Sequence, residues 1–233
     1  DWSSDVCSCD LLGQPRWHHP RCVFPIGRRP VRVAFLSPVG QVGGAERVLL
    51  TLLDACKAGE HAIDPVVIVL ADGPLVGELR DRGVGVVVVP MPESLVRLGD
   101  SGGSALGTLA RAIGSLPALW RFSALLHRRL AAVAPDIIHA NGLKAHLLAA
   151  MSAPAGAKVV WHLHDFVGAR RLAPFLLARV ARRVSGAVAV SQAVAADFSR
   201  VLPAVSVSVV PNRSEEHTSE LQSRQYLVCR LLL

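Results

Sequence analysis

Aromatic side chains are scarce in this sequence. Phe, Trp and Tyr make up 5% of its 233 residues, so a core built from it is aliphatic. Acid is short as well, with 18 Asp and Glu against 25 Lys and Arg, for a formal net charge of +7. No apolar run reaches spanning length: "VVIVLADGPLV" is interrupted by Asp72, Gly73 and Pro74, and "VGVVVVPMP" is too short. No N-terminal stretch has the basic, apolar, small-residue layout of a signal peptide, so the expected location is cytoplasmic. The chain is half apolar and only 18% charged, which suits a compact α/β domain around a buried parallel sheet.

The two ends differ in composition from what lies between them. The first eight residues of the opening "DWSSDVCSCD", "DWSSDVCS", can be encoded by DNA whose reverse complement encodes "EEHTSELQS", which occurs near the other end. Two unrelated protein termini have no physical reason to be antisense copies. Both also resemble translated sequencing-adapter sequence, so residues 1–11 and 213–233 are expected to be artefact, with an unusual natural tail as the alternative. Setting them aside removes six acids and three bases and leaves the remainder more basic than the +7 of the whole chain. It also removes the Cys7–Cys9 pair as a metal or redox motif and leaves only Cys22 and Cys56, which suit a reducing compartment. Residues 12–30 read as an irregular leader, and its His18, His19 and Cys22 lack a fourth metal ligand nearby.

From residue 31 to 212 the pattern is regular. "VRVAFLS", "PVVIVLAD", "VGVVVVP", "PDIIHAN", "AKVVWHLHD", "GAVAVS" and "VSVVPN" read as strands. Helical segments separate them: "AERVLLTLLDACKAG", "PLVGELRDRG", a long stretch from about 105 to 133 broken near Pro117, "LKAHLLAAM", "PFLLARVARRV" and "QAVAADFSRVL". Near-continuous Val/Ile strands alternating with helices predict a doubly wound, Rossmann-like parallel sheet. Ligands of such sheets sit beyond the carboxyl ends of the strands.

Three strand ends carry chemistry. In "SPVGQVGGAE", Gly43 and Gly44 allow close approach of a ligand, and the following helix aims free amides at the crevice, which predicts an anion site. A plain tight turn is the alternative, and the spacing of Gly40, Gly43 and Gly44 is not the dinucleotide fingerprint. In "IIHANGLKAH", His139 is expected to end a strand, with Asn141 and Gly142 in the turn. Lys144 falls in the first helical turn, where a cation opposes the helix dipole, so it is expected to face a ligand. In "WHLHDF", alternation places His162 and His164 on one side of a strand, and His164 with Asp165 could orient a sugar hydroxyl or balance a phosphate. With no third ligand beside the two histidines, no metal is expected.

Five segments in order, "GGAERVLLTLL", "PDIIHANG", "HLHDF", "AVAVSQAVAADF" and "VVPN", resemble the N-terminal half of a GT-B glycosyltransferase of the retaining, family 4-like group. The resemblance covers 31–212. It implies one half of a two-domain architecture: an acceptor-side domain, with a C-terminal half that holds the nucleotide sugar and the family's two-glutamate motif. Such a chain would serve transfer of a hexosyl group to a glycan or lipid-linked acceptor, the nucleotide sugar being substrate and no cofactor being needed. Gly43 and Gly44 would approach a diphosphate or an acceptor phosphate, and His139, Asn141 and His164 would line the cleft. Many relatives read His-x-His where this chain has His139-Ala140-Asn141, so a role carried by the second histidine does not transfer. Glu46 lies in the motif, although capping of the first helical turn explains it equally. The missing donor half leads to the expectation that this chain alone is inactive, and its catalytic residues stay unassigned.

In "PFLLARVARRV", Leu176, Leu177, Val180 and Val184 share a face while Phe175 falls among Arg179, Arg182 and Arg183. An aromatic among arginines suits an interfacial helix on anionic lipid, which predicts peripheral contact at the inner face of a membrane; a solvated basic face is the alternative. No recognition motif accompanies the charge, so nucleic acid is not an expected partner. Two other classes stay open: a non-catalytic Rossmann-like module binding an anion or nucleotide, and a basic membrane-surface adaptor.

Overall fold

A computed structural model describes residues 29–58, 63–97, 114–170 and 173–211. The expectations for 1–11, 213–233, most of the leader and the helical stretch before 114 lie outside the described residues. Seven strands form one parallel sheet: β1 (Val31–Ser37), β2 (Ile63–Val69), β3 (Gly85–Val88), β4 (Ile137–Asn141), β5 (Lys158–Leu163), β6 (Gly186–Ala189) and β7 (Val207–Val209), in the order β3-β2-β1-β4-β5-β6-β7. β1 pairs on one side with β2 (Phe35 opposite Val67) and on the other with β4 (Phe35 opposite His139). The chain order therefore reverses between β1 and β4, the position where doubly wound sheets open a crevice.

Strand alternation divides the core into two layers. Val33 and Phe35 of β1 face α1 (Gly44–Ala58) and α2 (Pro74–Asp81), where Leu49, Leu53, Leu75 and Leu79 are buried. Ala34 and Leu36 face the other layer. That layer includes α3 (Glu93–Val96), α4 (Leu116–Val133), α5 (Leu143–Ser152), α6 (Ala173–Val180) with the 3₁₀ turn Ala181–Arg183, and α7 (Gln192–Val201). Trp161, fully buried, meets Phe198 of α7 edge-on, with ring centroids 6.2 Å apart.

Local chemistry explains where the elements start and stop. Pro117 sits in the first turn of α4, where a missing amide hydrogen costs nothing, and α4 begins at Leu116, beside the position where the sequence suggested a break. Ala134, with φ 49°, ends α4 in the left-handed region, and Pro135 then blocks continuation. The Ser191 hydroxyl caps α7 by accepting from the Val194 amide at 3.2 Å. "PFLLARVARRV" is not one helix: α6 stops at Val180 and tightens into the 3₁₀ turn, with Val180 at φ −109°.

Candidate functional site

The site is built where α1, β4 and β5 meet at the reversal of strand order. Entry to α1 depends on Gly40. A Cβ there would lie 2.3 Å from the Asp72 carbonyl oxygen, and the Gly40 carbonyl accepts from the Leu75 amide at 2.9 Å. The first βα loop thus rests directly on the backbone of the second. Gly44 is different, since a Cβ on it would meet nothing within 4 Å. The Gly43 amide, expected to serve a ligand anion, donates to Glu46 Oε2 at 3.1 Å. Glu46 is buried and reaches back across the first turn, so the chain itself supplies a negative group at this helix mouth.

On β4, His139 and Asn141 lie on the α1 side. The strand runs on to Asn141, two residues past the expected end at His139. His139 therefore sits one alternation step inside, about 6.6 Å deeper at strand spacing. It is 1% exposed, packed between the rings of Phe35 and His162 at 5.1 Å each, and neither ring nitrogen has a hydrogen-bond partner. His139 lies beneath the crevice and does not line it, a correction to the expected placement.

Asn141, at the strand's end, is also buried, and both ends of its amide are taken up by the protein. Its Nδ2 donates to the Ala45 carbonyl at 3.3 Å, and its Oδ1 lies 2.6 Å from His164 Nε2. An amide oxygen only accepts, so His164 Nε2 carries the hydrogen and Nδ1 is the accepting nitrogen. One amide group thus joins the first turn of α1 to the end of β5. Burial pushes His164 below its ordinary pKa, against the upward pull of Asp165, and keeps the imidazole neutral at pH 7.

Two more histidines complete the cluster. His162 is buried, 4.3 Å from the His164 ring, and burial holds it well below the ordinary imidazole range. His146, to which the sequence gave no role, is on α5 four residues after Gly142. Its Nε2 donates to the His162 carbonyl at 2.9 Å, its ring stacks on Trp161 at 5.4 Å, and its own carbonyl accepts from the Trp161 indole at 3.0 Å. Burial lowers His139 to about 3 and His146 to about 4. Gly142, at φ 94°, turns the chain into α5; Gly142, His146, His164, Asp165 and Phe166 line a shallow cleft there.

The remaining expected residues lie around this centre. Lys144 donates to the Val96 carbonyl at the end of α3, so its ammonium has a protein partner and ties α5 to that helix. Asp165 is exposed, with the Arg170 guanidinium 3.9 Å away. The loop that follows is fastened by Asp197 of α7, whose Oδ2 accepts from the Gly168 amide at 2.8 Å. A Cβ on Gly168 would come within 2.6 Å of that carboxylate. Phe175 is exposed with Arg179 over its ring at 4.8 Å, and Arg183 donates to the Ala150 carbonyl. Among the described residues no group of three or more His, Cys, Asp or Glu could hold a metal ion.

Solved glycosyltransferases share this fold. Anabaena Alr3699/HepE, solved in complex with UDP and glucose, aligns with a TM-score of 0.54 and 21% identity over 85% of this chain and 50% of that one. A glycosyltransferase from Rickettsia africae aligns with a TM-score of 0.56 and 16% identity, over 79% and 44%. The lipopolysaccharide outer core galactosyltransferase WaaB, in its apo form, aligns with a TM-score of 0.51 and 14% identity, over 81% and 47%. The chain thus spans about half the length of these structures. No curated protein matches the sequence. The family described as Glycosyl transferase 4-like domain matches residues 43–213, from the Gly43–Gly44 bend through every strand end of the site, and the chain belongs to that family.

Proposed function

We propose that this chain is the acceptor-side half of a glycosyltransferase that moves a hexosyl group from a nucleotide sugar to a glycan or lipid-linked acceptor. The observation that carries the reading is the Ala45–Asn141–His164 connection at the reversal of strand order. It presents a neutral imidazole acceptor nitrogen in a cleft, suited to a sugar hydroxyl. The complex of the Anabaena relative with UDP and glucose supports a nucleotide-sugar donor. In this reading His164 and Asp165 contact sugar, Asn141 holds the His164 ring in place, and Gly44 with its open surroundings admits a phosphate. His139 and His162 support the cluster from below. Transfer in this reading also requires a donor-holding domain, and the acceptor-side domain by itself binds without turnover. The acceptor reaches the site at an anionic membrane surface, through the α6 region of Phe175, Arg179, Arg182 and Arg183. No helix among the described residues is long and apolar enough to cross a membrane.

Saturation-transfer NMR of the chain against nucleotide sugars and short glycans tests the reading. The expected result is sugar-proton contact that is lost in Asn141→Ala and His164→Ala. Contact that survives both changes, or no contact with any sugar, overturns it. A purely anion-binding module at Gly43–Gly44 has less support, because Glu46 already occupies the Gly43 amide.

A further inference from the structure

Charge in this domain is segregated by helix, the acids of the second layer's helices being confined to Glu93 on α3 and Asp197 on α7. On one side of the sheet, α1 and α2 mix Glu46, Asp54, Glu78 and Asp81 with Arg47, Lys57 and Arg80. On the other, α4, α5, α6 and the 3₁₀ turn contain no Asp or Glu at all. Their bases are Arg121, Arg128 and Arg129 on α4, Lys144 on α5, and Arg179, Arg182 and Arg183 on α6 and the turn. Among the described residues none of these six arginines is ion-paired, whereas Arg32, Arg82 and Arg97 all have carboxylate partners.

The same layer exposes its large apolar side chains. Trp120 is 68% exposed and Phe175 is 59% exposed; on α4, Leu116 is exposed one turn before Trp120, and Leu125 is exposed on the helix's other flank. α5 lies between α4 and α6 and has no polar stripe to separate them. Its half-buried positions are Leu143, Lys144, Leu147 and Met151. Side chains from both flanks fasten to the end of α5: His127 Nδ1 lies 3.0 Å from the Ser152 carbonyl, and Arg183 bonds the Ala150 carbonyl. The layer is therefore one continuous unit, apolar along its middle and basic on both flanks.

We propose that this α4–α5–α6 layer docks on the surface of an anionic phospholipid bilayer, with α4 and its Trp120 as the principal anchor. Unpaired arginines supply charge complementary to lipid phosphates, and exposed Trp, Phe and Leu supply area that enters the headgroup region. Four large apolar side chains exposed on one basic layer, rather than a single scattered one, favour an interaction surface over a merely solvated face.

Topology fixes the orientation. Helices that connect parallel strands run antiparallel to them, so the first turns of α4 and α6 lie at the carboxyl ends of the strands. Trp120 and Phe175 are both in the N-terminal halves of their helices. They sit at the rim that carries Asn141 and His164, while Arg128, Arg129, Arg182 and Arg183 lie toward the opposite end. Insertion of the aromatic rim holds the cleft at headgroup level, within reach of a lipid-linked acceptor. The orientation's purpose rests on the function proposed above; the lipid contact itself does not.

The test is sedimentation of the full 233-residue chain with vesicles of phosphatidylglycerol and phosphatidylcholine in equal parts, against phosphatidylcholine alone. Binding to the anionic vesicles and weakening by salt are expected. Trp120→Ser should lower the partition coefficient about tenfold. The triple change Arg121→Gln, Arg128→Gln, Arg129→Gln should lower it about a hundredfold, at about fivefold per arginine. All four positions are exposed, and unchanged circular dichroism confirms that the variants fold. No binding to anionic vesicles overturns the proposal, as does equal loss of binding to a duplex oligonucleotide in the same variants. Loss that follows only Phe175 and Arg179 overturns the role of α4 and leaves the narrower α6 contact. Sugar contact by NMR is read separately, so vesicle binding without sugar binding sinks the transferase reading alone.

Discussion

Asn141 and His164 meet at 2.6 Å across adjacent strands, and that contact sets which nitrogen of the imidazole can accept. Asn141→Asp should test it with little change in shape. A carboxylate at that distance stabilises the imidazolium and raises the His164 pKa, opposing the burial that now lowers it. The expected outcome is a protonated His164 at pH 7, visible in nitrogen-15 chemical shifts, and sugar contact that weakens as pH falls. An imidazole still neutral at pH 6 in the variant would show that the Asn141 position does not govern it.

Acid sensitivity follows from the buried cluster. His139 titrates at about 3 and His146 at about 4 when folded, both below the unfolded value near 6.5. Between those values the unfolded chain binds more protons than the native one, so stability is present above pH 6.5 and is lost as pH falls toward 4. At pH 5 each of the two contributes a loss of roughly 2 kcal/mol relative to pH 7.5. Urea midpoints across that range should drop steeply, and His146→Gln should flatten the slope by about one proton. A midpoint unchanged from pH 7.5 to 5 would contradict the buried placement of the cluster.

His139 gives a prediction of opposite sign. Both ring nitrogens are buried without partners, and the ring packs against Phe35 and His162. An apolar residue of similar volume removes the cost of an unmet polar group, so His139→Leu should stabilise the domain at pH 7 by about 1–3 kcal/mol. Urea unfolding measures it. A destabilised variant would mean that the ring has a bound partner.

Much of the fold is legible in the sequence because the physics is local. Strands such as "VVIVL" and "GAVAVS" are apolar on both faces, as a covered parallel sheet requires, and turn residues mark the gaps between elements. The site is less legible because it depends on distances along strands and between loops. The sequence placed the end of β4 at His139, and two more residues of pairing with β5 carry the strand to Asn141 and bury the histidine. Lys144 read as ligand-facing because its dipole is unfavourable, yet the carbonyl that holds it belongs to α3, far away in sequence. His146 carries no local signal because its partners, the His162 carbonyl and the Trp161 ring, are on β5, outside its own helix. Asp197 secures the loop beside the cleft through Gly168, a contact 29 residues away in sequence that no local pattern marks.

The glycines of the first loop separate close packing from openness. At Gly40 a methyl group would collide with the Asp72 and Ala71 carbonyls at 2.3 and 2.6 Å, which are backbone and cannot rotate away. Gly40→Ala must push the first βα loop off the second and break the Leu75-to-Gly40 hydrogen bond, at about 1–3 kcal/mol. At Gly44 the added methyl meets nothing, and alanine is the better helix former, so Gly44→Ala should match or exceed the parent in stability. Its effect should appear in ligand binding alone, because the methyl would enter the space left open at the mouth of α1. Thermal unfolding and sugar-contact NMR on the pair separate these effects. Equal loss of stability in both variants would show that the open space beside Gly44 is filled in solution.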